Sequence, residues 1–115
     1  MARDGTLWFT QLFANKISRL DFSNGSPVVV DYLVPEKKKR PHDLVVDNQR
    51  AWVWFTENRG NNIGRLDLSK AKPGTSKGME EFKVPTPGSH PNELVLDSGG
   101  NVWFTEMGFY FMGRY

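Results

Sequence analysis

A chain of 115 residues has room for one ordinary domain with a single core. Its composition is globular, at 38% apolar, 13% aromatic and 24% charged, and a formal charge of +2 is too small to imply nucleic-acid binding without a concentrated patch. The absence of cysteine excludes disulfides, thiolate metal sites and a cysteine nucleophile, and fits a reducing compartment such as the cytoplasm. The start, "MARDGTLWFT", has no apolar run of the signal-peptide kind, and no stretch approaches the roughly 18 apolar residues of a membrane span.

In chain order the first elements lie in "GTLWFTQLFANKISRLDF", residues 5–22, which reads as two short strands joined by a turn. "YLVP" at 32–35 closes a third strand. A basic crossover, "EKKKRPHD" at 36–43, leads into "PHDLVVD" at 41–47. "WVWFTE" at 52–57 and "NIGRLDL" at 62–68 follow as strands. Residues 68–81 contain helix formers, but Pro73, Gly74 and Gly78 break them, so a loop is expected there. "EEFKV" at 80–84 is the next strand, then "PNELVLD" at 91–97, a Ser-Gly-Gly turn, and "VWFTE" at 102–106. No segment holds a 3.6-residue period over a helical length.

These words repeat. Trp8, Trp54 and Trp103 each open a "WFT". Nine residues after each Trp stands Ile17, Ile63 or Met112, and two further on Arg19, Arg65 or Arg114. "YLVP" matches "FKVP", and "PHDLVVD" matches "PNELVLD". Four strand types, A (LVVD), B (WFT), C (IGR) and D (FKVP), recurring every 40–50 residues or so are the signature of a β-propeller blade. The chain is therefore expected to be all-β, with about two and a half four-stranded antiparallel blades in one partial propeller domain. Residues 1–40 carry B-C-D, 41–88 a complete A-B-C-D blade, and 89–115 A-B-C. Trp8, Trp54, Trp103, Phe9, Phe55 and Phe104 are expected to pack between blades. Arg19, Arg65 and Arg114 recur in every copy and are expected to be structural. Such a chain leaves sheet faces uncovered, so self-association or additional blades are the expected partners. The two incomplete blades together hold six strands, two too many for one blade. That count favours a segment of a longer propeller over a self-assembled ring.

The A–B hairpins suggest a site. Pairing Asp47 with Trp52 places His42 opposite Glu57, and pairing Asp97 with Asn101 places Asn92 opposite Glu106. A His beside a Glu at the mouth of a propeller is chemically sensible, because a carboxylate can orient an imidazole that moves a proton near neutral pH. The bland readings are a solvated loop His and blade-edge carboxylates. The basic run could attract an acidic ligand, yet it lacks an aromatic groove, so nucleic acid is not the expected partner. Neither a phosphate-binding glycine loop nor a zinc spacing is present.

"VWFTENRGNNIGRLD" (53–67) and "FKVPTPGSHPNELVLDSGGNVWFTE" (82–106) resemble the virginiamycin B lyase (streptogramin lyase) family of β-propellers. The resemblance runs over nearly the whole chain and is weaker in residues 1–40. It implies a C–O lyase that opens a cyclic depsipeptide antibiotic by elimination at its ester, assisted by Mg2+, with a small cyclic peptide as ligand. By this resemblance His42 matches the family's "PH" position as a catalytic group, and Glu57 and Glu106 match the "WFTE" carboxylate as catalytic groups and magnesium ligands. Asn92 stands where a second His is expected, and His90 where its accompanying Glu is expected; both become ligand-binding candidates. In the first copy Gln11 replaces the "WFTE" carboxylate. Because Asn is no general base at neutral pH, the competing expectation is a non-catalytic repeat module that binds a protein, peptide or glycan.

Overall fold

A computed structural model describes residues 5–108 and, as backbone, 111–114. Ten strands and no helix occur among the described residues, as the repeat predicts: β1 (Leu7–Gln11), β2 (Lys16–Asp21), β3 (Val28–Leu33), β4 (Pro41–Asp47), β5 (Trp52–Glu57), β6 (Asn62–Asp67), β7 (Met79–Lys83), β8 (Pro91–Leu96), β9 (Val102–Glu106) and β10 (Phe111–Arg114). They form three antiparallel sheets, β1-β2-β3, β4-β5-β6-β7 and β8-β9-β10. The segment 68–78 is loop, and β7 begins at Met79. No helix is long and apolar enough to cross a membrane among the described residues.

Period-two alternation assigns each sheet two faces, and the faces of neighbouring sheets differ in kind. Trp8, Ile17 and Tyr32 from the first sheet pack against Val53, Phe55 and Leu66 from the second. Trp54, Ile63 and Val84 from the second pack against Leu94, Val102 and Phe104 from the third. Each interface thus sets a Trp–Ile face against a Val–Phe face. Trp8 stacks on Tyr32 at 5.6 Å between ring centroids, and Trp54 lies 5.8 Å from Phe82. The expected aromatic packing therefore holds for Trp8, Trp54, Phe55 and Phe104. Phe9 and Trp103 lie on the two outer faces, because in antiparallel register they point away from the second sheet.

The repeated arginines act within their own sheets. Arg19 donates to the Tyr32 hydroxyl at 3.2 Å and to Asp21 at 3.1 Å. Arg65 bonds Glu80, with its guanidinium 4.1 Å from the centre of the Trp52 ring. The Arg114 and Met112 side chains lie outside the described residues. Repeated aspartates close the A–B turns: Asp47 accepts from the backbone of Gln49 and Arg50, and Asp97 from Gly99 and Asn101.

Three residues before each repeated Trp the backbone turns left-handed, at Gly5 (φ 85°), Ala51 (φ 57°) and Gly100 (φ 85°). Only Ala51 carries a Cβ there, which costs about 1–2 kcal/mol of local strain against a smaller entropic gain in the unfolded chain. Ala51→Gly is expected to stabilise the protein by about 0.5–1 kcal/mol in urea unfolding. A lower midpoint for the variant would show that Ala51 is not strained.

Candidate functional site

The site forms where β4 and β8, adjacent inner strands, begin. Their pairing with β5 and β9 follows the expected register from Asp47 to Leu44 and from Leu96 to Leu94, and then slips. Glu57 lies opposite Pro41, not His42, and Glu106 opposite Pro91, not Asn92. A bulge in each strand corrects the expected pairs, because two residues oppose one there.

The bulges are held by the threonine of "WFT". The Asp43 amide donates to Thr56 Oγ1 at 3.1 Å, and Glu93 does the same to Thr105 at 3.1 Å. The hydroxyl then reaches the next sheet: Thr10 donates to the His42 carbonyl at 3.0 Å, and Thr56 to the Asn92 carbonyl at 2.7 Å. Asp43 Oδ2 accepts from the Leu94 amide at 3.1 Å, a further tie between β4 and β8. Sequence reasoning missed these residues. Their signal was present, since Thr follows the Trp-Phe pair in all three copies.

Asn15 and Asn61, both left-handed in the B–C turns, fix the crossover loops beside the site. The Asn15 side-chain oxygen accepts from the amides of Lys39 and Arg40, at 2.9 and 3.1 Å. Asn61 accepts from the Ser89 amide at 2.9 Å and donates to the Thr86 carbonyl at 2.9 Å. Asn61 thus ties the B–C turn to the loop before β8.

The bulges leave His42 exposed and bring it together with His90 and Asn92. These three, with Asn58, Arg59, Met107 and Gly108, line a cavity of about 430 Å3. His90 is held left-handed, with φ of 50°, and its carbonyl accepts from the Met107 amide at 3.2 Å. The pocket therefore offers two imidazoles, amide side chains and one guanidinium, a set suited to hydrogen-bonding a peptide-like ligand.

Glu57 and Glu106 lie elsewhere. Glu57 is fully buried, and Glu106 is 5% exposed; neither lines the cavity. Asn62 donates to Glu57 Oε1 at 3.2 Å. The other Glu57 oxygen and Glu81 Oε2 are both buried without a donor when both groups are ionised. A single proton between the two carboxyls satisfies both. Burial first, and then this Glu81 neighbour, push Glu57 up to about 9. Lys39, 3.9 Å from Glu81, balances the remaining charge. Two glycines make the room. A Cβ on Gly60 would lie 3.0 Å from Glu57 Oε1, and one on Gly64 2.8 Å from Oε2.

This arrangement does not fit the magnesium site that the resemblance implies. A protonated, buried carboxyl is a poor ligand for a hard cation that keeps much of its water. Among the described residues no group of three His, Cys, Asp or Glu is placed to hold a metal ion.

A sequence profile of the virginiamycin B lyase family matches residues 1–114. Among solved structures, the chain is similar to a catalytically inactive His-to-Ala virginiamycin B lyase from Staphylococcus aureus crystallised with quinupristin, at 32% identity and a TM-score of 0.81. It is also similar to a streptogramin B lyase structure, at 31% identity and a TM-score of 0.78. The matches cover 98% and 99% of this chain but 35% and 38% of those chains, so it spans just over a third of their length. A search of curated proteins finds no match. The repeat, the propeller sheets and a profile running over nearly all the residues agree, and the chain belongs to the virginiamycin B lyase family.

Proposed function

We propose that this chain is a segment of a streptogramin lyase-like propeller, and that the His42 pocket takes a small cyclic depsipeptide as a C–O lyase would. The observation that carries this reading is the convergence of His42, His90 and Asn92 on one cavity. In the reaction, a base removes a proton from the carbon next to the one bearing the ester oxygen. The released electron pair forms a C=C bond, the C–O bond breaks, and the ester leaves as a carboxylate. His42, one of two exposed imidazoles in the pocket and the one at the family's "PH" position, takes that proton, while Asn92 and Arg59 hold carbonyl oxygens of the ring. No step above depends on magnesium.

Elimination consumes no water, so the linear product has the mass of the ring, whereas hydrolysis adds one water. Incubation with a type B streptogramin and magnesium, followed by chromatography with mass detection, tests the reading. We expect a ring-opened isomer, and its loss by at least about a hundredfold in His42→Ala. No product beside an active relative sinks catalysis by this chain, and an unchanged rate in His42→Ala removes that residue from the mechanism. The burial of Glu57 and Glu106 away from the pocket favours a second reading, a binding module without turnover. Titration of the same ligand with heat release but no product would support it.

A further inference from the structure

The basic run of the first crossover contains no aromatic residue, but the fold brings one to it. Phe13, in the B–C turn of the first sheet, is 86% exposed, and the Arg40 guanidinium lies 5.2 Å from the centre of its ring. Leu12, Phe13 and Ala14 on one side and Lys37, Lys38 and Arg40 on the other line a cavity of about 370 Å3. It shares no lining residue with the His42 pocket. Within the run Lys39 is paired, since its amino group reaches Glu36 at 3.7 Å and Glu81 at 3.9 Å. Among the described residues no carboxylate forms an ion pair with Lys37, Lys38 or Arg40. The loop that carries these charges is held from both sides. Asn15 accepts from the Lys39 and Arg40 amides and donates to the Val34 and Glu36 carbonyls. The amides of Asn58 and Arg59 donate to the carbonyls of Arg40 and Lys39, both at 3.1 Å. The exposure of the two walls belongs to the repeat and not to the place of the first sheet in the chain. Arg59 stands at the repeat position of Phe13, and Pro87, Gly88 and His90 at those of Lys37, Lys38 and Arg40. All four are exposed, although the second sheet packs against a sheet on each side.

We propose that this cavity binds a small phosphate monoester carrying a planar ring, a nucleoside monophosphate by class, with its phosphate on Lys37, Lys38 and Arg40 and its ring beside Phe13. Three cations without a carboxylate partner converge on one wall, and a phosphate monoester brings roughly two negative charges and three acceptor oxygens to meet them. A guanidinium stacked on a ring keeps its N–H edge for two oxygens of the same anion, which a lysine cannot match. The opposite wall is apolar, and an exposed ring beside a cation is a surface on which a base stacks whatever its identity. The cavity is at the small end of ligand sites, a size for one nucleotide and not for a polymer. Because Asn15 and the second B–C turn already fix the loop, binding does not have to order it. The site is independent of the lyase reading, since it uses none of the residues placed in that reaction.

Titration of the isotope-labelled chain with adenosine monophosphate, inorganic phosphate and adenosine, followed by amide NMR shifts, is the test. We expect the monophosphate to move the amides of the 12–15 turn and the 37–40 loop. It should bind at least about tenfold tighter than either phosphate or adenosine alone, because only it meets both walls. Phe13→Ser should bring the monophosphate down to the affinity of inorganic phosphate and leave the latter unchanged. Lys37→Gln combined with Lys38→Gln should weaken both anions by about tenfold or more and leave adenosine as it was. All three positions are exposed, so the variants should keep the far-ultraviolet dichroism of the wild type. Absence of shifts at the two loops, or shifts centred on the His42 pocket, overturns the proposal. Equal affinity for the monophosphate and inorganic phosphate overturns it too, since the patch would then take any anion. So does a Phe13→Ser variant that binds the monophosphate as the wild type does, or a double lysine variant that keeps its anion affinity.

Discussion

Glu57→Gln is expected to stabilise the protein above neutral pH and to flatten its pH dependence. The sign follows from the direction of the shift. Below about 4.5, the ordinary value for the group, the carboxyl is protonated folded and unfolded alike, and its burial carries no ionisation cost. As pH rises from there to about 9, the unfolded chain gives up this proton while the folded site keeps it. Stability therefore falls through that window, by at most about 1.4 kcal/mol per pH unit for one proton. Above about 9 the folded site ionises too and the loss levels off. Gln reproduces the protonated form: its amide can donate to Glu81 while its oxygen still accepts from Asn62. It removes the titration and should gain about 1–3 kcal/mol at pH 8. Urea unfolding of wild type and variant between pH 5 and 8.5 measures this. Curves that run parallel across the range would show that Glu57 is ionised in the folded protein.

The first sheet supplies an internal comparison for that site. Gln11, Ser18 and Asp31 stand there at the repeat positions of Glu57, Gly64 and Glu81, with Lys16 at that of Asn62. Gln11 donates to Ser18 and to Asp31, Ser18 donates to Asp31 at 2.7 Å, and Lys16 pairs with it at 3.1 Å. A neutral amide and a lysine do there what a shared proton and Lys39 do in the second sheet. The fold was legible because strand period, turn residues and the Trp register all agree. The site was legible only in part. His42 and Asn92 share a mouth as expected, but a uniform hairpin register cannot reveal a bulge, and no Gly marks either one. A Glu at a strand end ordinarily reads as solvated, so burial of Glu57 was hidden. Its trace was the pair Gly60 and Gly64, whose missing side chains leave the carboxyl its space.

Gly64→Ser should cost about 2–3 kcal/mol, even though the repeat itself places Ser18 at the matching position of the first sheet. Position 64 faces Phe55 across the β5–β6 pair, and a Cβ there would enter the Phe55 ring as well as approach Glu57 Oε2 at 2.8 Å. Phe55 is fully buried against the first sheet and has no free volume to retreat into. Phe9, the partner of Ser18, is only half-buried on an outer face, so its ring can yield to a side chain beneath it. The same repeat position thus demands Gly where the facing ring is locked in a core cluster and accepts Ser where the facing ring is only half-buried. The reciprocal change, Ser18→Gly, should cost about 1 kcal/mol, through the lost bond to Asp31 and the added chain entropy. Denaturant midpoints for the two variants decide it. Equal losses would mean that the space over position 64 is not set by Phe55. Pairing Gly64→Ser with Phe55→Leu gives a sharper reading, since the smaller side chain should return part of the loss if ring displacement is its cause.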